Sequence, residues 1–540
     1  MNILLGTGMI FWKIRRNRII FLFLMVFIVS GCGQAISPQP YEAPPDAVSG
    51  SGRPVVFLTA SQIAESIRTG RLTAVEVVDA HLRHIHQFNP EINAIVTIDE
   101  HAVRRRAREA DAALKQGEYW GPLHGVPVTV KDHFAVKGLR NTNGMPETAE
   151  YVPDSDATVV SRLKDAGAII LGKTNMPPMA MDMQTSNDIF GRTNNPWDLN
   201  RTPGGSTGGG AAAVAAGMSP LNIGSDLAGS IRQPSHFCGI YGFKPTENTV
   251  SNHGSFVPLM DPDFKSIRHM ASNGPLARSI ADLKLAYQLI AGPDGKDGMV
   301  VQPDESPVIK ESLADLRIAW TDQFGDVQVS RDTAQVLQQF VDKLSGKAGE
   351  IGHLRLSGID FNTVWATWGK MVDLEVGVLR PPLTRFLIFL AGGAQRAKTP
   401  LLQMEYPAGY DDYIETVSRR GQITAKFDQF FLDWDVLICP VAPIPAFSHH
   451  LPDDQKFGYN IYNKPLLVDG RAINYWMGCA AYTAPFNLTG HPVVVIPAGF
   501  SSDGMPIGLQ LIGARGKDMA LLDMAEMINQ AAGAYRPPEL

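Results

Sequence analysis

Between Arg201 and Pro234 the chain reads RTPGGSTGGGAAAVAAGMSPLNIGSDLAGSIRQP, two serine-bearing glycine clusters joined by a small-residue helix. Glycine on both sides of Ser206 and before Ser230 removes the Cβ atoms that would keep backbone N–H groups away from a hydroxyl. N–H groups gathered in that way can stabilise an oxyanion. Upstream, GVPVTVKD (125–132) ends a short apolar, strand-like run on Lys131. A lysine buried at a strand end loses proton affinity through desolvation and can serve as a base. The combination points to acyl transfer on a serine, with lysine where histidine more often stands.

Bulk properties narrow the setting. The chain has 540 residues, 44% hydrophobic and 19% charged, an ordinary globular balance and long enough for one large α/β enzyme. A net charge of −6 leaves no basic footprint, so nucleic acid is not an expected partner. Four cysteines are too few and too scattered for a disulfide framework. Cys238, Cys439 and Cys479 lie in apolar or glycine-rich runs and read as small core residues.

Cys32 differs. Lys13, Arg15, Arg16 and Arg18 precede the apolar run 19–29, too short to span a membrane and suited to a signal peptide. Val29-Ser30-Gly31-Cys32 then resembles a bacterial lipobox, which implies a signal peptide over 1–31 and a lipid on Cys32. Gly33 and Gln34 follow, so the resemblance carries no inner-membrane retention signal. An uncleaved anchor with a chance cysteine, or a mis-assigned start, is the alternative. Residues 32–54, rich in Pro, Gly and Ser, read as a tether. The expected localisation is the bacterial cell envelope, exported and held by lipid.

Beyond the tether, 55–540 reads as one domain. Thr59 with Gln62 and Thr73 with Glu76 fit capping boxes opening helices near 60–69 and 74–87. A third helix is expected over 99–116, with Arg104, Arg105 and Arg106 on a solvated face. Strands are expected at 126–130, 168–171, 316–320, 435–439, 493–497 and 507–512. Further helices are expected near 158–166, 278–291, 331–344, 411–432 and 517–531. Such alternation predicts an α/β fold, a mixed central sheet covered by helices on both faces.

Longer stretches carry a family likeness. GPLHGVPVTVKD (121–132), GRTNNPWDLNRTPGGSTGGGAAAVAAG (191–217), IGSDLAGSIRQPSHFCGIYGFKPT (223–246), NGPLARSIADL (273–283) and FNLTGHPVVVIPAG (486–499) resemble the amidase signature family, in family order. That family hydrolyses carboxylic amides through a Ser-cis-Ser-Lys triad. The resemblance implies Ser230 as nucleophile within Asp226-Leu227-Ala228-Gly229-Ser230-Ile231-Arg232, with the N–H groups of Leu227, Ala228, Gly229 and Ser230 as oxyanion hole. Ala228 replaces the commoner glycine, which is tolerable at negative φ. Ser206, 24 positions earlier, would be the bridging serine after a cis peptide, and Lys131 the base. Thr207 stands where the family usually has a second serine; with Asp226 and Arg232 it would orient the reacting groups. No cofactor or metal is implied. The substrate would be a small-molecule carboxylic amide, fatty-acid amides included, with a homodimer left open.

Residues 345–435 match the family least and would decide specificity. Trp365, Trp368, Phe386, Leu387, Phe389 and Leu390 read mainly as core. An acyl-channel wall or a membrane-facing patch is the other reading, because 386–390 lacks polar alternation.

Several short patterns mislead. Residues 167–174 fit a phosphate loop letter for letter, yet a strand between the glycines and Pro177-Pro178 beyond them exclude it. Residues 204–208 fit a nucleophile elbow, which would make Ser206 the nucleophile but needs a preceding strand that 195–203 does not supply. Ser161 and Lys164 echo a Ser-x-x-Lys pair, but mid-helix. His81, His84 and His86 read as a surface cluster, not a metal site. Two rival functions stand beside the amidase: a glutaminase-type component of a tRNA-dependent amidotransferase, which Ile231-Arg232-Gln233-Pro234 resembles, and a non-catalytic amide-binding lipoprotein.

Overall fold

A computed structural model describes residues 54–540 except 260–266, 305, 307–309, 378–380, 392–398, 404–405, 457–458 and 534. Cys32, the expected signal peptide over 1–31 and almost all of the expected tether over 32–54 lie outside the described residues.

Eleven strands form the central sheet. In chain order they are β1 (Ile95–Thr97), β2 (Pro127–Lys131), β3 (Ile169–Thr174), β4 (Leu221–Asp226), β5 (Tyr241–Lys244), β6 (Ser272–Ala277), β7 (Arg317–Trp320), β8 (Glu350–His353), β9 (Val436–Pro440), β10 (Val493–Phe500) and β11 (Pro506–Ile512). Their order across the sheet is β1-β3-β2-β4-β6-β5-β10-β11-β9-β7-β8. β3, β2 and β4 run parallel, as do β8, β7 and β9, while β6, β5, β10 and β11 pair antiparallel. The sheet is mixed, as expected.

Its strands are apolar on both faces. Along β9, Val436 and Ile438 join one hydrophobic cluster and Leu437 and Cys439 the other. β10 and β11 divide in the same way, Val494, Ile496, Leu509 and Leu511 against Val493 and Ile512. Successive side chains on a strand point to opposite faces, so each face needs its own cover. The first cluster is completed from helices Ala60–Arg68, Ala74–Ile92, Ile280–Ile290, Arg331–Leu344 and Asp518–Ala532. The second draws on Phe361–Val376, Tyr410–Asp433, Tyr475–Ala480 and Ala484–Leu488.

Both capping boxes form, on Thr59 and Thr73. The strands the periodicity does not announce are the short β1 and β8 and, written LNIGSD, YGFK and SNGPLA, β4, β5 and β6. Glycine and polar residues break the apolar pattern of β4, β5 and β6 because these strands pack against backbone and the site. The P-loop look-alike is β3, with Lys173 buried and donating to the Phe134 carbonyl and Asn141 Oδ1, both at 2.7 Å.

Three expectations need correction. His81 is fully buried, bonded to the Val77 carbonyl and pushed down to about 3 by that burial, so the histidines are no surface cluster. Arg104 pairs with Asp79 and Glu100, and Arg106 lies 3.7 Å over Trp120, so that face is not merely solvated. Within 345–435, Trp365 and Trp368 are core, whereas Phe386, Leu387 and Leu390 on helix Pro382–Ala391 are exposed. With Leu383 they recur at i, i+3, i+4 and i+7 and form an exposed apolar stripe rather than core.

Candidate active site

Parallel strands β2 and β4 are neighbours, and their C-terminal ends carry Lys131 and the pair Ser225-Asp226. Such strand ends are where parallel sheets present chemistry. Lys131 is fully buried, and its Nζ lies 2.6 Å from Ser206 Oγ and 3.1 Å from Ser225 Oγ. Burial pushes its pKa down to about 7, the charge of Asp226 opposing only in part. Near neutral pH a large fraction of Lys131 therefore carries a lone pair.

Ser206 sits in the loop entering helix Gly208–Ala215, and the Gly205-Ser206 peptide is cis. Gly205 is obligatory there: a Cβ would stand 2.7 Å from both N and O of Gln184. Ser230 occupies the turn between β4 and helix Arg232–Cys238. The Thr207 N–H donates to the Ser230 carbonyl at 3.2 Å, tying the two serine loops together. Both serines border one cleft, but Ser206 is 0% exposed and Ser230 5%. The reachable hydroxyl is that of Ser230, and no strand precedes Ser206, which removes the elbow geometry.

Asp226 and Arg232 hold the turn. Arg232 is fully buried and forks onto the carboxylate, Nη2 to Oδ1 at 2.9 Å and Nε to Oδ2 at 3.0 Å. Asp226 also accepts from Asn487 Nδ2 at 2.9 Å and from the N–H groups of Gly229 and Ile231 at 2.8 and 3.1 Å. Despite the cost of burial, Arg232 and these donors keep it well below the usual carboxylate range.

Of the four N–H groups expected to form the oxyanion hole, that of Gly229 already donates to Asp226 Oδ1. The N–H groups of Leu227, Ala228 and Ser230 bind no acceptor among the described residues. Ala228 lies outside the left-handed region, so its methyl is compatible with the turn, whereas Gly229, at φ +117, could not take a Cβ. Thr483 Oγ1 donates to the Ala228 carbonyl at 2.5 Å and Trp368 Nε1 to the Leu227 carbonyl at 3.1 Å, aiming those peptides.

Sequence reasoning missed Ser225, Thr483, Asn487 and Trp368. Ser225, next to Asp226 at the end of β4, was the only one with a local signal. The cleft itself, about 50 Å³, is walled by Met179, Met181, Leu227, Phe256, Ile267 and Val376. Val376 comes from the divergent region, whereas Phe386, Leu387, Phe389 and Leu390 are not among the described lining residues. Among the described residues no cluster of His, Cys, Asp and Glu could hold a metal.

A buried lysine bonded to Ser206, a second serine on the same cleft and N–H groups without an acceptor among the described residues are thus gathered in one place. The chain belongs to the amidase signature family: the family model described as Amidase matches residues 76–522. It is thus an enzyme of a family acting on carbon–nitrogen bonds. It is 32% identical to an acylamidase of Rhodococcus erythropolis over 479 residues, covering 87% of this chain and 94% of that protein. It is also 32% identical to a glutamyl-tRNA(Gln) amidotransferase subunit from Synechococcus sp. (strain CC9605) over 505 residues, covering 88% and 97%. Among solved structures, 6-aminohexanoate cyclic dimer hydrolase aligns with a TM-score of 0.72 at 28% identity, covering 89% of this chain and 99% of that one.

Proposed function

We propose that the protein hydrolyses a carboxylic amide through an acyl-enzyme on Ser230. The observation that carries this is the 2.6 Å contact between Ser206 Oγ and a buried Lys131 whose pKa lies at about 7. Neutral Lys131 accepts the Ser206 proton while Ser206 takes that of Ser230, and Ser230 Oγ bonds to the carbonyl carbon. Lys131 keeps an N–H for Ser225, which orients its lone pair on Ser206. Negative charge gathering on the carbonyl oxygen meets the N–H groups of Leu227, Ala228 and Ser230, each typically worth ~3–4 kcal/mol. The relayed proton passes to the nitrogen as the C–N bond breaks, releasing ammonia or an amine. Water then adds to the ester, its proton following the same relay, and the carboxylate leaves.

Similarity to the acylamidase favours an acyl amide, and so does the apolar cleft wall. The amidotransferase likeness raises glutamine as a substrate. No lysine or arginine borders the cleft among the described residues to pair with a free amino acid's carboxylate, which favours the acyl amide. An export signal, with Cys32 as lipid site, argues the same way, since aminoacyl-tRNA is cytosolic. The test is a panel of amides from acetamide through glutamine and peptide amides to oleamide, run beside Ser230→Ala. Turnover of neutral acyl amides that vanishes in the variant is expected. Turnover of glutamine alone would instead support the amidotransferase reading.

A further inference from the structure

The cleft wall at 179–181 is held in an unfavourable backbone conformation. Met179 and Ala180 have φ of 50° and 58°, two consecutive non-glycine residues in the left-handed region. Residues without glycine's freedom stay there only where surrounding structure enforces it. Met179 and Met181 border the cleft, and the very next residue, Asp182, turns away from it into the protein.

Asp182 is 5% exposed, and among the described residues no lysine or arginine pairs with it. It is met instead by hydroxyl and amide donors: Tyr462 Oη at 2.5 Å, Tyr475 Oη at 2.6 Å and Asn460 Nδ2 at 2.6 Å, with the Met183 N–H at 2.7 Å. Tyr462 and Tyr475 stack on each other with ring centroids 3.8 Å apart. A buried carboxylate without a cation is costly unless fully hydrogen-bonded, so these donors form a cluster that tolerates little loosening. Its far side belongs to a segment remote in sequence: Asn460 and Tyr462 lie on or beside the hairpin of Asp454–Lys456 and Tyr459–Ile461, and Tyr475 opens helix Tyr475–Ala480. Two residues further on, Gln184 donates to the His450 carbonyl at 2.7 Å and lies against Gly205 of the cis peptide.

We propose that Asp182, clamped by Tyr462 and Tyr475, is a positioning residue that fixes the 179–181 wall and thereby sets how an apolar acyl group fits against Ser230. The clamp touches neither substrate nor reacting atoms; it acts through Met179 and Met181. The acyl-fit part rests on the amidase reading, whereas the clamping of the wall does not.

Tyr462→Phe and Tyr475→Phe test it in the full-length protein, since each keeps its ring and loses one hydroxyl. Hydrogen–deuterium exchange should quicken about fivefold or more across 179–183 in either variant, with the central sheet unchanged. In the same variants the ratio of kcat/KM for hexanamide over acetamide should fall about fivefold, carried mainly by KM, because the shorter acyl group reaches the wall less. Exchange unchanged across 179–183 would overturn the clamp. Faster exchange with both amides slowed in equal proportion would overturn its role in acyl fit and leave a structural cluster. Wild-type protein that turns over no amide would count against the amidase reading and the acyl fit, while the exchange result still judges the clamp.

Discussion

In the proposed mechanism, burial of Lys131 works against stability and for chemistry at once. A lysine that would titrate near 10.5 in the unfolded chain titrates at about 7 here. Between those values the unfolded chain binds more protons, so this group makes stability rise with pH from 7 to 10.5. Lys131→Met should therefore abolish turnover yet stabilise the fold, by on the order of 3 kcal/mol at pH 7. Thermal denaturation across pH 7 to 10 checks it, and the gap to wild type should shrink as pH rises. The two serines separate by role. Ser230→Ala should abolish fluorophosphonate labelling, while Ser206→Ala should leave Ser230 labelled but roughly 100-fold more slowly, the scale of lost acid–base help. Labelling that moves to Ser206 would contradict the assignment. These residues were legible because their glycine-rich and strand-end surroundings are written beside them. Trp368 and Thr483 were not, since packing brings them from positions whose local sequence carries no mark of the site.

At the level of elements, the turn between β4 and helix Arg232–Cys238 depends on one buried ion pair. Arg232 and Asp226 are both fully or almost fully buried, and removing one partner of such a pair typically costs ~3–5 kcal/mol. Arg232→Met should lower the melting temperature markedly and weaken oxyanion binding, read as kcat falling more than KM changes. Gly229→Ala should act more locally, since its Cβ would stand 2.5 Å from Thr483 Oγ1 and the Ala228 peptide would have to shift. Helices with capping boxes and strands of continuous apolar residues, such as β9 and β10, could be read from the chain. β4, β5 and β6 could not, because strands that carry a site surrender apolar pattern to glycine and polar groups. Helix Phe361–Val376 likewise escaped notice: its tryptophans mark a core, but only the folded chain shows that core pressing on the Leu227 peptide.

For the whole molecule, the two clusters on opposite faces of the sheet make a frame that sets Lys131 against Ser206 and brings Ser206 and Ser230 to one cleft. Around that frame the chain's setting is a separate proposal: export and a lipid on Cys32. Cys32→Ala should eliminate metabolic palmitate labelling in cells, while amide turnover persists. Retained labelling would contradict the lipid assignment alone. The proposed catalysis is narrower: a neutral Lys131 draws the proton from Ser230 through Ser206. Its most direct test is the pH dependence of the acylation rate of Ser230, followed in a single turnover with a chromogenic amide. The rate should climb tenfold per pH step below about 7 and level off above it, following the titration of Lys131. A rate flat from pH 5.5 to 9, with acylation shown to be limiting, would contradict a lysine base.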